Sequence, residues 1–194
     1  MKNFEKELPQ GYEEVYHLDA RAKKEGIILN TVASVVIAAF IAIAFLTVKA
    51  LEFTYSDLMI GGISFIVIIL AYIVLHELVH GAVYKLMTKE KLTFGISWSC
   101  AFCGVPNVYV YRKTAIIALV MPFLVFSVIF VTLAAVLHNV SNVFYMVFIT
   151  LEGFNFGGAS GDLYWLLKFI FKYRDKTTLM RDTGPEQFIY IKKE

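Results

Sequence analysis

The sequence predicts an all-α polytopic membrane protein, with about four transmembrane helices and a β-hairpin or re-entrant segment between the second and third. Three observations carry this. Hydrophobic residues make up 58% of the 194 and charged ones 18%, against about 45–50% and about 25% in soluble domains, and mean hydropathy is +0.66. Apolar runs recur at close to the ~20 residues a helix needs to cross ~30 Å of hydrocarbon. Lys and Arg gather in alternate segments between those runs. A net charge of only +2, with Lys and Arg gathered between the apolar blocks, argues against a nucleic-acid partner. The 15% of aromatics suits a chain whose Tyr, Trp and Phe sit at bilayer interfaces.

Residues 1–26 mix aromatics with charge and read as a cytoplasmic or interfacial segment, with the character of an amphipathic helix on the headgroups. No small-x-small cleavage site ends the first apolar run, so no cleavable signal peptide is expected. Residues 27–48 form the first span, without a charge, and residues 58–84 the second. Residues 92–111 are rich in β-formers, with Gly104 and Pro106 as turn residues, and read as a hairpin of 92–98 against 107–111. Exposed strands are not tolerated in lipid, so this hairpin implies a cavity or a protein interface beside the second span. Residues 114–137 form the third span, with Pro122 as a kink. Residues 143–170 form the fourth, interrupted by the Gly-rich stretch from Glu152 to Asp162. Residues 171–194 are a polar cytoplasmic tail whose 188–191 portion suits a short strand. Together, residues 27–170 make up the membrane domain.

The positive charges orient the spans. The N-terminal segment carries five Lys/Arg, the 85–113 segment five and the C-terminal segment seven, whereas the loops between them carry one and none. Positive residues stay inside. This places both termini in the cytoplasm.

The second span carries His76-Glu77-Leu78-Val79-His80. Residues four apart leave the same face of a helix, so both imidazoles can grip one metal ion. Glu77 is placed to reach a water on that metal. Two histidines and a glutamate are costly in a lipid-facing helix and mark function when they occur there; a buried polar cluster between helices is the plainer alternative. Depth suggests a third ligand. His76 lies 18 residues after Leu58 and nine before Lys85, and Asp162 lies 19 after Val143 and six before Lys168. Both spans run inward, so at ~1.5 Å per residue the two fall at similar depth. Glu152 would lie ~15 Å farther out, and His138 falls on the outer side. Cys100 and Cys103 form a lone Cys-x-x-Cys with no second pair, so they read as small apolar residues of the loop rather than as half a zinc site.

On these residues the chain resembles the site-2-protease type of intramembrane zinc metalloprotease, and most closely the small bacterial membrane zincins. The His76-Glu77-x-x-His80 of an early span, the β-prone segment after it and an Asn155-to-Asp162 stretch carry the resemblance, over roughly residues 58–170. The family's later stretch reads Asn-x-x-Pro-x-x-x-Leu-Asp-Gly. Here Gly157-Gly158 stand without a proline, the order is Gly161-Asp162-Leu163, and the Asn-to-Asp spacing is seven rather than eight. The resemblance implies one Zn2+ per chain held by His76, His80 and Asp162, with Glu77 as general base and Asn155 as a second catalytic group. It implies peptide-bond hydrolysis in membrane-associated protein substrates. An edge strand at Thr93, Phe94, Gly95 and Ile96 is the candidate substrate template. A non-catalytic zinc scaffold and a metal transporter stand as alternatives.

Overall fold

The computed structural model describes residues 2–19, 22–49, 51–97 and 101–193. It is mixed α/β, which corrects the all-α expectation. In order the elements are β1 Phe4–Glu5, β2 Tyr12–Asp19, α1 Lys23–Thr47, α2 Tyr55–Thr88, β3 Thr93–Ile96, β4 Ala101–Gly104, β5 Tyr109–Tyr111, α3 Arg112–Leu137, α4 Asn142–Gly158, α5 Ser160–Phe171, β6 Leu179–Asp182 and β7 Glu186–Lys192. The strands form a five-stranded antiparallel sheet in the order β1-β5-β6-β7-β2 and a two-stranded sheet of β3 and β4.

Three further expectations change. The N-terminal segment is strand, not amphipathic helix, because β2 pairs along its whole length with β7, from Tyr12 opposite Lys192 to Asp19 opposite Glu186. Leu18 faces the core while Glu14, on the far side of a bulge between Glu14 and Tyr16 that shifts the register, stays exposed. The hairpin after α2 is real but has another partner: β3 pairs with residues 101–104, and β5 leaves it to join the large sheet. The fourth span is not one helix. It breaks at Ala159 into α4, of 17 residues, and α5, of 12. Among the described residues, three helices are long and apolar enough to cross a membrane, over Gly26–Thr47, Tyr55–Thr88 and Arg112–Leu137.

The chain divides into two compact units. The first comprises residues 1–28, 75–122 and 161–194, and holds both sheets, the motif end of α2, the start of α3 and nearly all of α5. Its core is built from Val105, Val110, Trp165, Phe169, Met180 and Ile189, all fully buried. The β6–β7 turn closes with Thr183 N–H donating to the Glu186 carbonyl at 2.9 Å. Gly184 stands there at φ +104°, a backbone state that side chains resist.

The second unit comprises residues 29–74 and 123–160. Its helices approach closely through glycine, as membrane helices do: a Cβ on Gly153 would meet the Phe40 Cβ at 2.5 Å, and one on Gly157 the Ile37 Cγ1 at 2.9 Å. Apolar side chains such as Val35, Ile60, Val67 and Val128 are more than half exposed, the pattern of helices that face lipid.

Candidate metal centre

α2 begins with a reciprocal cap. Thr54 Oγ1 accepts from the Asp57 N–H at 3.2 Å, and Asp57 Oδ2 accepts from the Thr54 N–H at 2.9 Å. It ends where Lys89 takes a left-handed φ of 62°. Between these points it runs 34 residues without proline, so the motif sits in regular helix and the i, i+4 geometry holds.

The structure brings His76, His80 and Asp162 together. One ligand atom from each lies within 4.8 Å of the others. Asp162 Oδ2 is 3.4 Å from His76 Nε2 and 3.3 Å from His80 Nε2. Ligands at the ~2.0–2.2 Å of a tetrahedral zinc site stand about 3.3–3.5 Å apart, so the spacing suits that ion. Both histidines are buried.

The His80 tautomer follows from its other nitrogen. Nδ1 lies 2.9 Å from the Ala118 carbonyl, a pure acceptor, so Nδ1 carries the proton and Nε2 keeps its lone pair for a metal. Glu77 is half-buried, and its carboxylate accepts a hydrogen bond from the Cys103 backbone N–H of β4. The small sheet therefore orients the glutamate of the motif.

Asp162 stands in the first turn of α5, where the helix dipole favours a carboxylate. Three elements hold α5. Trp165 and Phe169 anchor it in the core. Arg112 Nε and Nη2 donate to the Phe169 carbonyl at 3.2 and 2.9 Å, and Nε also reaches the Tyr173 carbonyl at 3.0 Å. Tyr16 of β2 shares a hydrogen bond between hydroxyls with Tyr164, and Lys168 Nζ lies 4.5 Å from the Tyr16 ring centre.

A family model described as "Putative zincin peptidase" matches residues 68–178, more than half of the chain. The chain belongs to this family. Comparison with curated proteins and with solved structures found no match. The zincin match takes in His76, Glu77, His80 and Asp162 together with β3, β4 and β5. Membership implies zinc, and a set of two imidazoles and one carboxylate is a donor set zinc accepts.

The other expected residues of this zincin fall in different places. Thr93 to Ile96 form β3, which among the described residues pairs with β4 on one edge alone. Asn155 belongs to the second unit and is fully buried. Its Oδ1 accepts from Tyr72 Oη at 3.1 Å; its Nδ2 donates to the Phe123 carbonyl at 3.1 Å and to Ser127 Oγ at 2.9 Å. Cys100 lies outside the described residues. Cys103 is buried, and burial together with the nearby Asp182 and Glu77 carboxyls pushes its thiol up to about 12. It stands as a neutral packing group.

Asp182 had no signal in the sequence. Its carboxylate accepts from Tyr84 Oη at 2.6 Å and from the Gly184 N–H at 2.9 Å. Its backbone carbonyl accepts from the Val105 N–H at 2.8 Å. Tyr84 lies one turn after His80, so Asp182 ties the motif helix and the end of β4 to the large sheet. Burial raises its carboxyl to about 6 in spite of those hydrogen bonds.

Proposed function

We propose that the chain is an intramembrane zinc metallopeptidase that hydrolyses peptide bonds of membrane-associated protein substrates. The observation that carries this is the convergence of an Asp162 oxygen of α5 on His76 Nε2 and His80 Nε2, which stand with Glu77 on a helix apolar enough to span a bilayer. A zinc ion held by these three residues supplies a polarised scissile carbonyl and a water acidified to about pKa 7. Glu77, steadied by the Cys103 N–H, takes the proton of the attacking water and hands it to the leaving amine. The Nδ1–H of His80 on the Ala118 carbonyl keeps that ring from turning away. Asp162 contributes the single negative charge of the ligand set. The role expected of Asn155, steadying substrate or oxyanion, rests on the family resemblance; both of its amide atoms are already bonded within the second unit.

Substrate would add to the open edge of β3. Phe94 of that strand packs on Gly81, where a Cβ would meet its Cζ at 2.6 Å. The template thus lies against the motif helix one residue past His80, and strand addition would unwind a helical substrate into an extended, cleavable form. The cytoplasmic placement of both termini, in a bacterial plasma membrane, is also proposed. It is supported by the five-stranded sheet, which draws strands from all three Lys/Arg-rich segments and so keeps them together.

Metal analysis of the purified full chain tests the reading. Wild type should carry one zinc, which His76→Ala and Asp162→Ala should each lose. Glu77→Gln should keep zinc and lose cleavage. Zinc retained by both ligand variants would sink the site as drawn, and cleavage surviving in Glu77→Gln would sink the mechanism.

A further inference from the structure

Pro122 lies inside α3, a helix that otherwise runs unbroken from Arg112 to Leu137. A proline has no N–H, so the carbonyl four residues earlier loses its helical donor, and the ring presses that carbonyl out of line. Four residues before Pro122 is Ala118. Its carbonyl is the one that receives His80 Nδ1–H at 2.9 Å. Ala118 and Pro122 are both buried, so water is a poor substitute donor. An ordinary helical residue at 122 would bring an N–H to that oxygen and draw it back along the helix axis.

We propose that Pro122 is a positioning residue of the metal centre: by removing the helical donor to the Ala118 carbonyl, it dedicates that oxygen to His80. The inference rests on the metallopeptidase reading above. The proline thereby has two linked effects on the histidine. It provides a full-strength acceptor for Nδ1–H, which selects the tautomer with the lone pair on Nε2. It also fixes the plane of the ring toward Asp162 Oδ2, 3.3 Å from Nε2. Outer partners of this kind typically set metal affinity by about 10–100-fold.

The test separates positioning from general folding, because the two move in opposite directions. Pro122→Ala restores the N–H and replaces the poorest helix former with the best, a change favouring the helix. The full-length protein in detergent is titrated with Zn2+ alone against a chromophoric chelator, and with Co2+ alone to record the visible ligand-field bands. Pro122→Ala should bind Zn2+ about tenfold more weakly and shift the Co2+ bands, while melting no lower than wild type when both are metal-free. Pro122→Gly, which restores the same N–H with a smaller gain in helix propensity, should lose metal affinity to a similar degree.

Wild-type Zn2+ affinity and an unshifted Co2+ spectrum in both variants would overturn the proposal. A purely structural proline predicts a different pattern, with altered melting and unchanged metal binding, and that result overturns it too. Failure of wild type to bind one zinc would instead bring down the metallopeptidase reading, and this inference with it.

Discussion

Gly104 is the tightest point between β4 and the β6–β7 turn, and Gly104→Ala measures how rigidly the small sheet is held. A Cβ there would lie 2.3 Å from Gly184 N, 2.6 Å from Thr183 C and 2.9 Å from the Asp182 carbonyl oxygen. All three are backbone atoms, so no side chain can swing aside. Ordinary contact begins near 3.4 Å, which leaves a shortfall of about 1.1 Å for the strand and turn to make up by parting. The neighbouring Val105 N to Asp182 O bond of 2.8 Å would open to about 3.9 Å, beyond the ~3.2 Å limit of a good N–H to O bond. Overpacking of this kind costs roughly 1–3 kcal/mol, and the lost hydrogen bond about 1 more. At roughly 2–4 °C per kcal/mol for a chain of this size, the melting midpoint should fall by roughly 5–15 °C. Zinc stoichiometry should hold, because the ligands stand on α2 and α5. The assay is thermal melting followed by tryptophan fluorescence, with Gly62→Ala as control. Gly62 has open space for a Cβ and should gain up to about 1 kcal/mol of helix propensity. A Gly104→Ala protein that melts together with wild type would refute the close packing of β4 on the turn.

Two other outcomes follow from the buried carboxyls. Burial holds the Asp182 carboxyl at about 6 in the folded protein against an ordinary 3.8, so between those values the unfolded chain releases a proton that the folded one keeps. Stability should therefore fall as pH rises from about 4 to about 6, by up to about 3 kcal/mol, then level off; Asp182→Asn should lack this slope in metal-free melts taken across that range. Glu152 accepts from Ser127 Oγ at 2.6 Å and from Asn155 Nδ2 at 3.4 Å. Glu152→Gln keeps the short bond and gives up only the long one, so it should cost about 1 kcal/mol or less and leave one zinc per chain; loss of zinc on this change would favour the transporter alternative.

Much of the centre was legible in the sequence because it rests on local periodicity. His76 and His80 share a face by the 3.6-residue repeat alone. Asp162 could be matched to them by counting residues from the ends of two spans, since rise per residue and bilayer thickness are fixed quantities. That match survived even though the expected fourth span is two helices, because the break at Ala159 precedes Asp162 by only three residues. The three apolar helices were legible for the same reason.

The strands were not legible to the same degree. Pairing partners depend on contacts distant in sequence, and residues 107–111 satisfy a hairpin pattern equally well with 92–98 or with a tail 70 residues away. The N-terminal segment shows the same limit: its charges and aromatics suit a helix on the headgroups until β7 offers it a partner from Glu186 to Lys192.

By itself the sequence determined the motif helix, its apolar setting and the nomination of Asp162 as the carboxylate that joins the two histidines, all of which follow from short-range geometry. Tertiary structure alone decided what surrounds them: the Cys103 N–H on Glu77, Asp182 on Tyr84, and the Ala118 carbonyl on His80. Pro122 joins the two levels. Its place in α3 is plain in the sequence, and so is the carbonyl it releases. Which side chain takes that carbonyl depends on how α3 packs against α2, and a chain's local preferences do not encode that.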